Sequence, residues 1–369
     1  MIPLRHRSPG RTSQLLALLT ATALVACGDD SAGTGGGASA STSSATTATT
    51  STGTGTGTGG AGGGDSVDCT GSPQALADCV DSEAYAEDLA FIADVRPPGS
   101  AHWQEVQDLC ASRLTEYGYE VVLDDYGTGI NVVGRRLGKT EPEKTVVVGA
   151  HYDHIDDCPG ADDNATGVAA TLEIARLLSQ VDFDRTILIA CWDEEERGLI
   201  GSEAFVTDAV AAAEDVVIDF TFDAIGFRSD EPNTQSVPAG FDGVFPDVYA
   251  DVEANDFRGD FVAIITHSLA HDEALAVASA ADRIGLSQKV LEIPEGLENV
   301  AAFADLRRSD HASFWAEGYP AVFLTDTADF RNEHYHCFGG PDVVADLDTA
   351  FAVDITRAAL EASAIALGM

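Results

Sequence analysis

The segment TVVVGAHYDHIDDCPGADDNATGVAATLEIARLL, residues 145–178, decides the fold. It opens on a continuous apolar run, the mark of a central strand buried on both faces. It closes on apolar residues at helical spacing. Between the two lie five aspartates (153, 156, 157, 162 and 163) and two histidines, His151 and His154. Like charges at that density repel one another unless something positive sits among them.

The strand–helix alternation continues in both directions. Upstream, a helical pattern over 83–118 is broken by DVRPPGS, whose prolines stop a helix. YEVVLDDYG and GINVVGRRLG then read as strands joined by a glycine turn. Downstream come strand RTILIACW, helix GSEAFVTDAVAAA and strand VVIDFTFD. Residues 226–266 read as irregular. After them follow helix 268–285, strand QKVLEI, helix 309–318, strand PAVFLTD and a final helix from about 344 to 368. This order predicts a three-layer α/β/α sandwich on a central mixed, mainly parallel sheet. Ligands of such sheets bind beyond the carboxyl ends of the strands.

The N-terminus stands apart. Arg5, Arg7 and Arg11 precede the apolar run LLALLTATALVA, and Leu24-Val25-Ala26-Cys27 has the form of a lipobox. Residues 1–26 are therefore expected to be a lipoprotein signal peptide, with acyl chains on Cys27 holding the protein at a membrane. Through residue 68 the chain is Gly-, Ser- and Thr-rich and offers no core, as a disordered tether would. The folded domain is expected over 69–369, exported to the bacterial cell envelope.

The net charge of −41 becomes about −44 without the three signal arginines, and Lys139, Lys144 and Lys289 are the only lysines. That excludes nucleic acid as a partner, since phosphate contacts need clustered cations. Beyond Cys27 six cysteines remain, an even number that suggests disulfides in an exported chain, although fifteen full pairings exist. Cys69 and Cys79 bracket a short loop. Cys158 and Cys337 each adjoin a segment of one prospective site and form the second expected pair.

That site is built at strand ends. His151 and Asp153 end TVVVGA, Glu195 and Glu196 follow TILIACWDE, Asp223 ends VVIDFTFD, and His336 follows PAVFLTD. In a parallel sheet these positions meet at one edge. Two histidines with several carboxylates form a donor set that zinc favours. Two ions sharing one carboxylate would neutralise the cluster.

AHYDH, GADDNATG, EEERGLIGS, SDHASFWAEGYPA and NEHYH, with RPPGS at 96–100, resemble the two-zinc exopeptidases related to bacterial leucyl aminopeptidase and glutamate carboxypeptidase II. The resemblance runs from about residue 83 to the C-terminus. It implies two zinc ions per chain, one held by His151 and Asp223, the other by Glu196 and His336, with Asp163 bridging them. It implies that Asp153 accepts a hydrogen bond from His151, that Glu195 is the general base, and that Tyr335 donates to an oxyanion.

Asp156, Asp157 and Asp162 are expected as solvated loop carboxylates, and His154 as a loop-stabilising group rather than one that touches substrate. Ser309 or Asp310 is a plausible N-cap, His311 either pocket wall or packing, and His102, His267 and His271 surface groups. The expected activity is removal of N-terminal residues from extracytoplasmic peptides by a lipid-anchored monomer. The alternatives are a carboxypeptidase, with Arg228, Arg258, Arg307 or Arg308 as its cation, a glutaminyl cyclase, or a catalytically inactive binding lipoprotein.

Overall fold

Eight strands form one sheet in the order β1-β2-β4-β3-β5-β8-β6-β7. They are β1 (Glu120–Asp125), β2 (Ile130–Arg136), β3 (Glu141–His151), β4 (Arg185–Trp192), β5 (Asp215–Phe222), β6 (Val262–His267), β7 (Gln288–Ile293) and β8 (Ala321–Thr325). The computed structural model describes residues 68–369 apart from 295, 298 and 299. The expected signal peptide, Cys27 and nearly all of the tether lie outside the described residues. Among the described residues, no helix is long and apolar enough to cross a membrane.

The central strands β4, β3, β5 and β8 run parallel. Their side chains alternate between two cores, as the period of two requires. Val146, Val148 and Ala150 of β3 enter one core with Ile187, Ile189 and Cys191 of β4. Val147 enters the other with Leu188, Ala190 and Trp192. Helices Ser82–Ile92, Ala101–Glu116, Gly167–Leu178, His271–Ile284 and Thr349–Ala366 contribute to the first core. Ile200–Ala212 and His311–Ala316 contribute to the second. Each fully buried aliphatic side chain stabilises this arrangement by about 1.5–3 kcal/mol. This is the expected α/β sandwich on a mixed sheet.

Two boundaries differ from the sequence reading. The stretch read as irregular holds helices Phe241–Val244 and Pro246–Ala254 and all of β6 but its last residue. The six-residue strand follows a run dense in Gly, Asp and Pro, which hides its short apolar signal. β6 and β7 also run against the central strands, because β6 pairs antiparallel with β8. The last helix starts at Thr349: Asp348 caps it by accepting from Phe351 N–H, and Val344–Asp346 is a separate 3-10 turn.

Cys69 bonds Cys79 and Cys158 bonds Cys337. Cys110 and Cys191 are buried thiols. The second disulfide joins the loop after β3 to the loop after β8, the two segments that flank the acidic cluster.

Candidate metal centre

Four parallel strands deliver the donors to one edge of the sheet. His151 is the last residue of β3 and Asp223 directly follows β5. Glu195 and Glu196 lie in the turn after β4, and His336 in a turn beyond β8. His151 Nε2 stands 3.2 Å from Asp163 Oδ1 and 3.5 Å from Asp223 Oδ2. His336 Nε2 stands 3.1 Å from Asp163 Oδ2 and 3.2 Å from Glu196 Oε2. Asp163 therefore faces a histidine with each of its oxygens.

Hydrogen bonds hold these groups in place. Asp153 accepts from the backbone N–H of Glu195 (3.0 Å) and Glu196 (3.3 Å), which fixes the glutamate turn. Its carboxylate is 3.5 Å from His151 Nδ1, and the nearer acceptor is its own carbonyl at 3.2 Å. The ring is thus oriented by the Asp153 main chain as well as its side chain. Asp342 accepts from Asp162 and Asp163 N–H. Arg96, fully buried, donates to the carbonyls of Tyr152, Pro159, Gly160 and Asp163. Arg96 opens the RPPGS segment of the resemblance, which assigns it no role at the site, and Asp342 lies in none of the quoted segments.

Asp162 is not solvated as expected. It is 1% exposed and accepts from Asn332 Nδ2 and Gly226 N–H. Asp156 and Asp157 are exposed. His154 is fully buried, with Nδ1 2.7 Å from Glu196 Oε1. His334 turns away to Asp346, and Glu194 is tied to Arg197 and Thr128. His267 is buried against Trp315, not on the surface.

The electrostatics match a cation site. Burial alone would push the Asp163 carboxyl up, but His151 and His336 outweigh it and hold it well below the usual range. Burial lowers His336, yet Asp163 and Glu196 raise it to about 10. Burial raises Glu195, and Asp223, Glu196 and Asp310 add to the rise against the opposing pull of His151. Buried His151 Nε2, His154 Nδ1, Asp163 Oδ1, Glu196 Oε1 and His336 Nε2 all lack a hydrogen-bond partner. Buried polar atoms without partners are costly, and donors converging on one another fit a metal. His151, Asp163 and Asp223 form one group able to hold an ion; His154, Asp163 and Glu196 form another.

Beside this cluster an apolar pocket opens to solvent. Val237, Phe241, Val252, Phe261, Ile265 and Phe323 line it with apolar surface, and Asp223, Tyr335 and Arg308 also border it. The Tyr335 ring stacks on His336 at 4.0 Å, and Arg308 lies over Tyr335 while pairing with Asp329. Burial and neighbouring carboxylates raise the Tyr335 hydroxyl, so it stays a donor. Arg228 and Arg258 pair with Asp230 and Asp256.

Asp310 precedes the helix His311–Ala316 but makes no capping bond, and neither carboxylate oxygen has a partner. His311 packs: its ring stacks on Phe323 at 4.4 Å and Nε2 meets the Leu306 carbonyl at 2.9 Å. Burial lowers its pKa to about 3. The unfolded chain, with His near 6.5, therefore binds a proton between about pH 6.5 and 3 that the folded state refuses. Stability should fall with decreasing pH in that window by roughly 1.4 kcal/mol per unit. His311→Gln, whose amide can reach the same carbonyl, should remove that part of the slope. Urea midpoints of both proteins at pH 7 and 5 check it; equal slopes would exclude His311 as the source.

Residues 131–255 match the family model described as Peptidase family M28. The chain is 29% identical over 205 residues to the uncharacterized protein YfbL of Escherichia coli (strain K12), covering 53% of this chain and 59% of that one. It is 30% identical to leucine aminopeptidase 1 of Neurospora crassa, covering 56% of this chain and 46% of the relative. The chain thus spans about half the length of these curated relatives. Among solved structures, the LapA aminopeptidase of Legionella pneumophila superposes with a TM-score of 0.60 at 19% identity, covering 80% of this chain and 75% of LapA. At that identity the likeness speaks to the fold alone.

Proposed function

We infer that the chain is a peptidase of family M28, a two-zinc aminopeptidase for peptides with a bulky apolar N-terminal residue. One observation carries this reading: Asp163 offers one oxygen toward His151, beside Asp223, and the other toward His336 and Glu196. His151, Asp163 and Asp223 would hold one ion, and Asp163, Glu196 and His336 the other. Zinc bound there supplies Lewis acidity, activating water near neutral pH and polarising a scissile carbonyl.

The chain's own residues do the rest. Glu195 takes a proton from the attacking water and returns it to the leaving amine, a task suited to a carboxylate whose proton affinity burial raises. Tyr335 donates a hydrogen bond to the developing oxyanion. Asp153 keeps His151 oriented and the Glu195 turn in register. A free α-amine finds acceptors in the acidic cluster, and the apolar cavity takes the first side chain. Residues 69–369 are the catalytic domain in this reading. Residues 1–26 direct export, and Cys27 with the tether to residue 68 anchors a monomer at the cell envelope.

Hydrolysis of a leucyl chromogenic amide beside its N-acetylated twin, with and without a zinc chelator, tests the activity. Chelator-sensitive cleavage of the free-amine substrate alone is expected. Leucyl and phenylalanyl amides should exceed the alanyl amide in kcat/KM by about 10- to 200-fold, the range that lost apolar contact supplies. Cleavage of neither amide would remove the aminopeptidase reading. A preference for alanine would remove the assignment of the cavity.

A further inference from the structure

We propose that His154 is a fourth protein ligand of the second ion, joining Asp163, Glu196 and His336; the proposal rests on the two-zinc reading above. His154 is 0% exposed and neither ring nitrogen has a hydrogen-bond partner. Its Nδ1 lies 2.7 Å from Glu196 Oε1 and 4.0 Å from Asp163 Oδ1. The shorter contact lacks hydrogen-bond geometry, and Glu196 Oε1 is equally without a partner. Two close, buried donors that do not bond each other are placed as ligands of a common cation.

The second imidazole fits the same ion. His336 meets the other oxygens of Asp163 and Glu196, and the two rings stand 5.6 Å apart and nearly edge-on at 73°. Donors about 2.0–2.1 Å from a tetrahedral zinc lie roughly 3.3 Å from one another, against 2.7, 3.1 and 3.2 Å for His154–Glu196, His336–Asp163 and His336–Glu196. The loop is also shaped around the ring. Gly160 adopts a left-handed conformation, and a β-carbon there would overlap the His154 ring and the Asp163 carbonyl.

The two sites then differ in kind. Four protein ligands fill a tetrahedral shell, as in zinc sites that only hold structure, while three leave a position open. The site of His154, Asp163, Glu196 and His336 is the closed one. The site of His151, Asp163 and Asp223 is the open one, which substrate and water can enter. The closed site should fill first when zinc is added and empty last.

Zinc alone is the probe. Metal-free full-length protein is titrated with zinc against a chromophoric chelator, in wild type and in His154→Ala and His154→Asn, after circular dichroism has shown each to be folded. Wild type should bind two ions in separable steps, and both variants should lose more than about 100-fold in the tighter step. Loss of an outer hydrogen-bond partner costs only about 10- to 100-fold. A change of tenfold or less in a folded variant overturns the assignment. X-ray absorption at the zinc edge of wild type with one equivalent needs no variant: two imidazoles per zinc are expected, and one overturns the proposal. Wild type that takes up fewer than two ions undoes the two-zinc reading and this proposal with it. Two ions bound with unaffected His154 variants undo this proposal alone.

Discussion

Glu195→Gln should lower kcat on a leucyl amide by about 10²- to 10⁴-fold, the usual contribution of a positioned general base, and leave zinc content unchanged. Glutamine keeps the shape and the backbone contact of Glu195 N–H with Asp153 but cannot take a proton. KM should change little, because the lost interaction is made in the transition state. Burial and the carboxylates of Asp223, Glu196 and Asp310 raise this group in the folded protein. The acid limb of the kcat profile should accordingly reflect Glu195 and flatten in the variant. Glu194→Gln is the control, since Glu194 is engaged with Arg197 and Thr128 and faces a structural task. Steady-state kinetics with metal analysis of all three proteins check the assignment. A kcat within tenfold of wild type for Glu195→Gln would move the base to another residue.

The donors of the candidate centre were legible in the sequence because strand ends announce themselves. Each of β3, β4, β5 and β8 is a short apolar run that stops at a polar residue, and parallel pairing brings those stops to one edge. What supports the donors was not legible. Arg96 and Asp342 act through main-chain groups far along the chain, and backbone acceptors leave no trace in residue type. The burial of His154 beside Glu196 is not legible either, because Glu196 lies 42 residues on, across β4, and adjacency to His151 says nothing of burial. Asp162 was misread for a related reason. The neighbours that make it a buried acceptor, Asn332 and Gly226, come from loops after β8 and β5. β6 is hidden in the sequence because a six-residue strand is weaker than the Gly- and Pro-rich signal around it.

The second large effect concerns Arg96, which meets the prospective ligand Asp163 only at its main-chain carbonyl. Its guanidinium donates to six carbonyls: Ile92 and Asp94 at the end of one helix, Tyr152 beyond β3, and Pro159, Gly160 and Asp163 in the loop after β3. Each buried acceptor left without a partner costs about 1–3 kcal/mol. Arg96 also brings positive charge near Asp163, Asp153, Asp342 and Glu196. Removing a buried charge relieves its own desolvation, which offsets part of the loss. Arg96→Met, similar in length and without donors, should therefore lose at least about 4 kcal/mol, a large share of the roughly 5–15 kcal/mol that keeps a domain folded. Arg96→Lys retains the charge and three donors, so it should lose less. Urea unfolding of the metal-free proteins reads the stability, and zinc titration reads the loop. Because Arg96 holds the backbone of Gly160 and Asp163, Arg96→Lys should also weaken zinc binding while the fold persists. A Met variant with the wild-type urea midpoint would mean that the Cys158–Cys337 disulfide alone holds this loop. RPPGS would then be only the stop between two helices, with no share in the candidate metal centre.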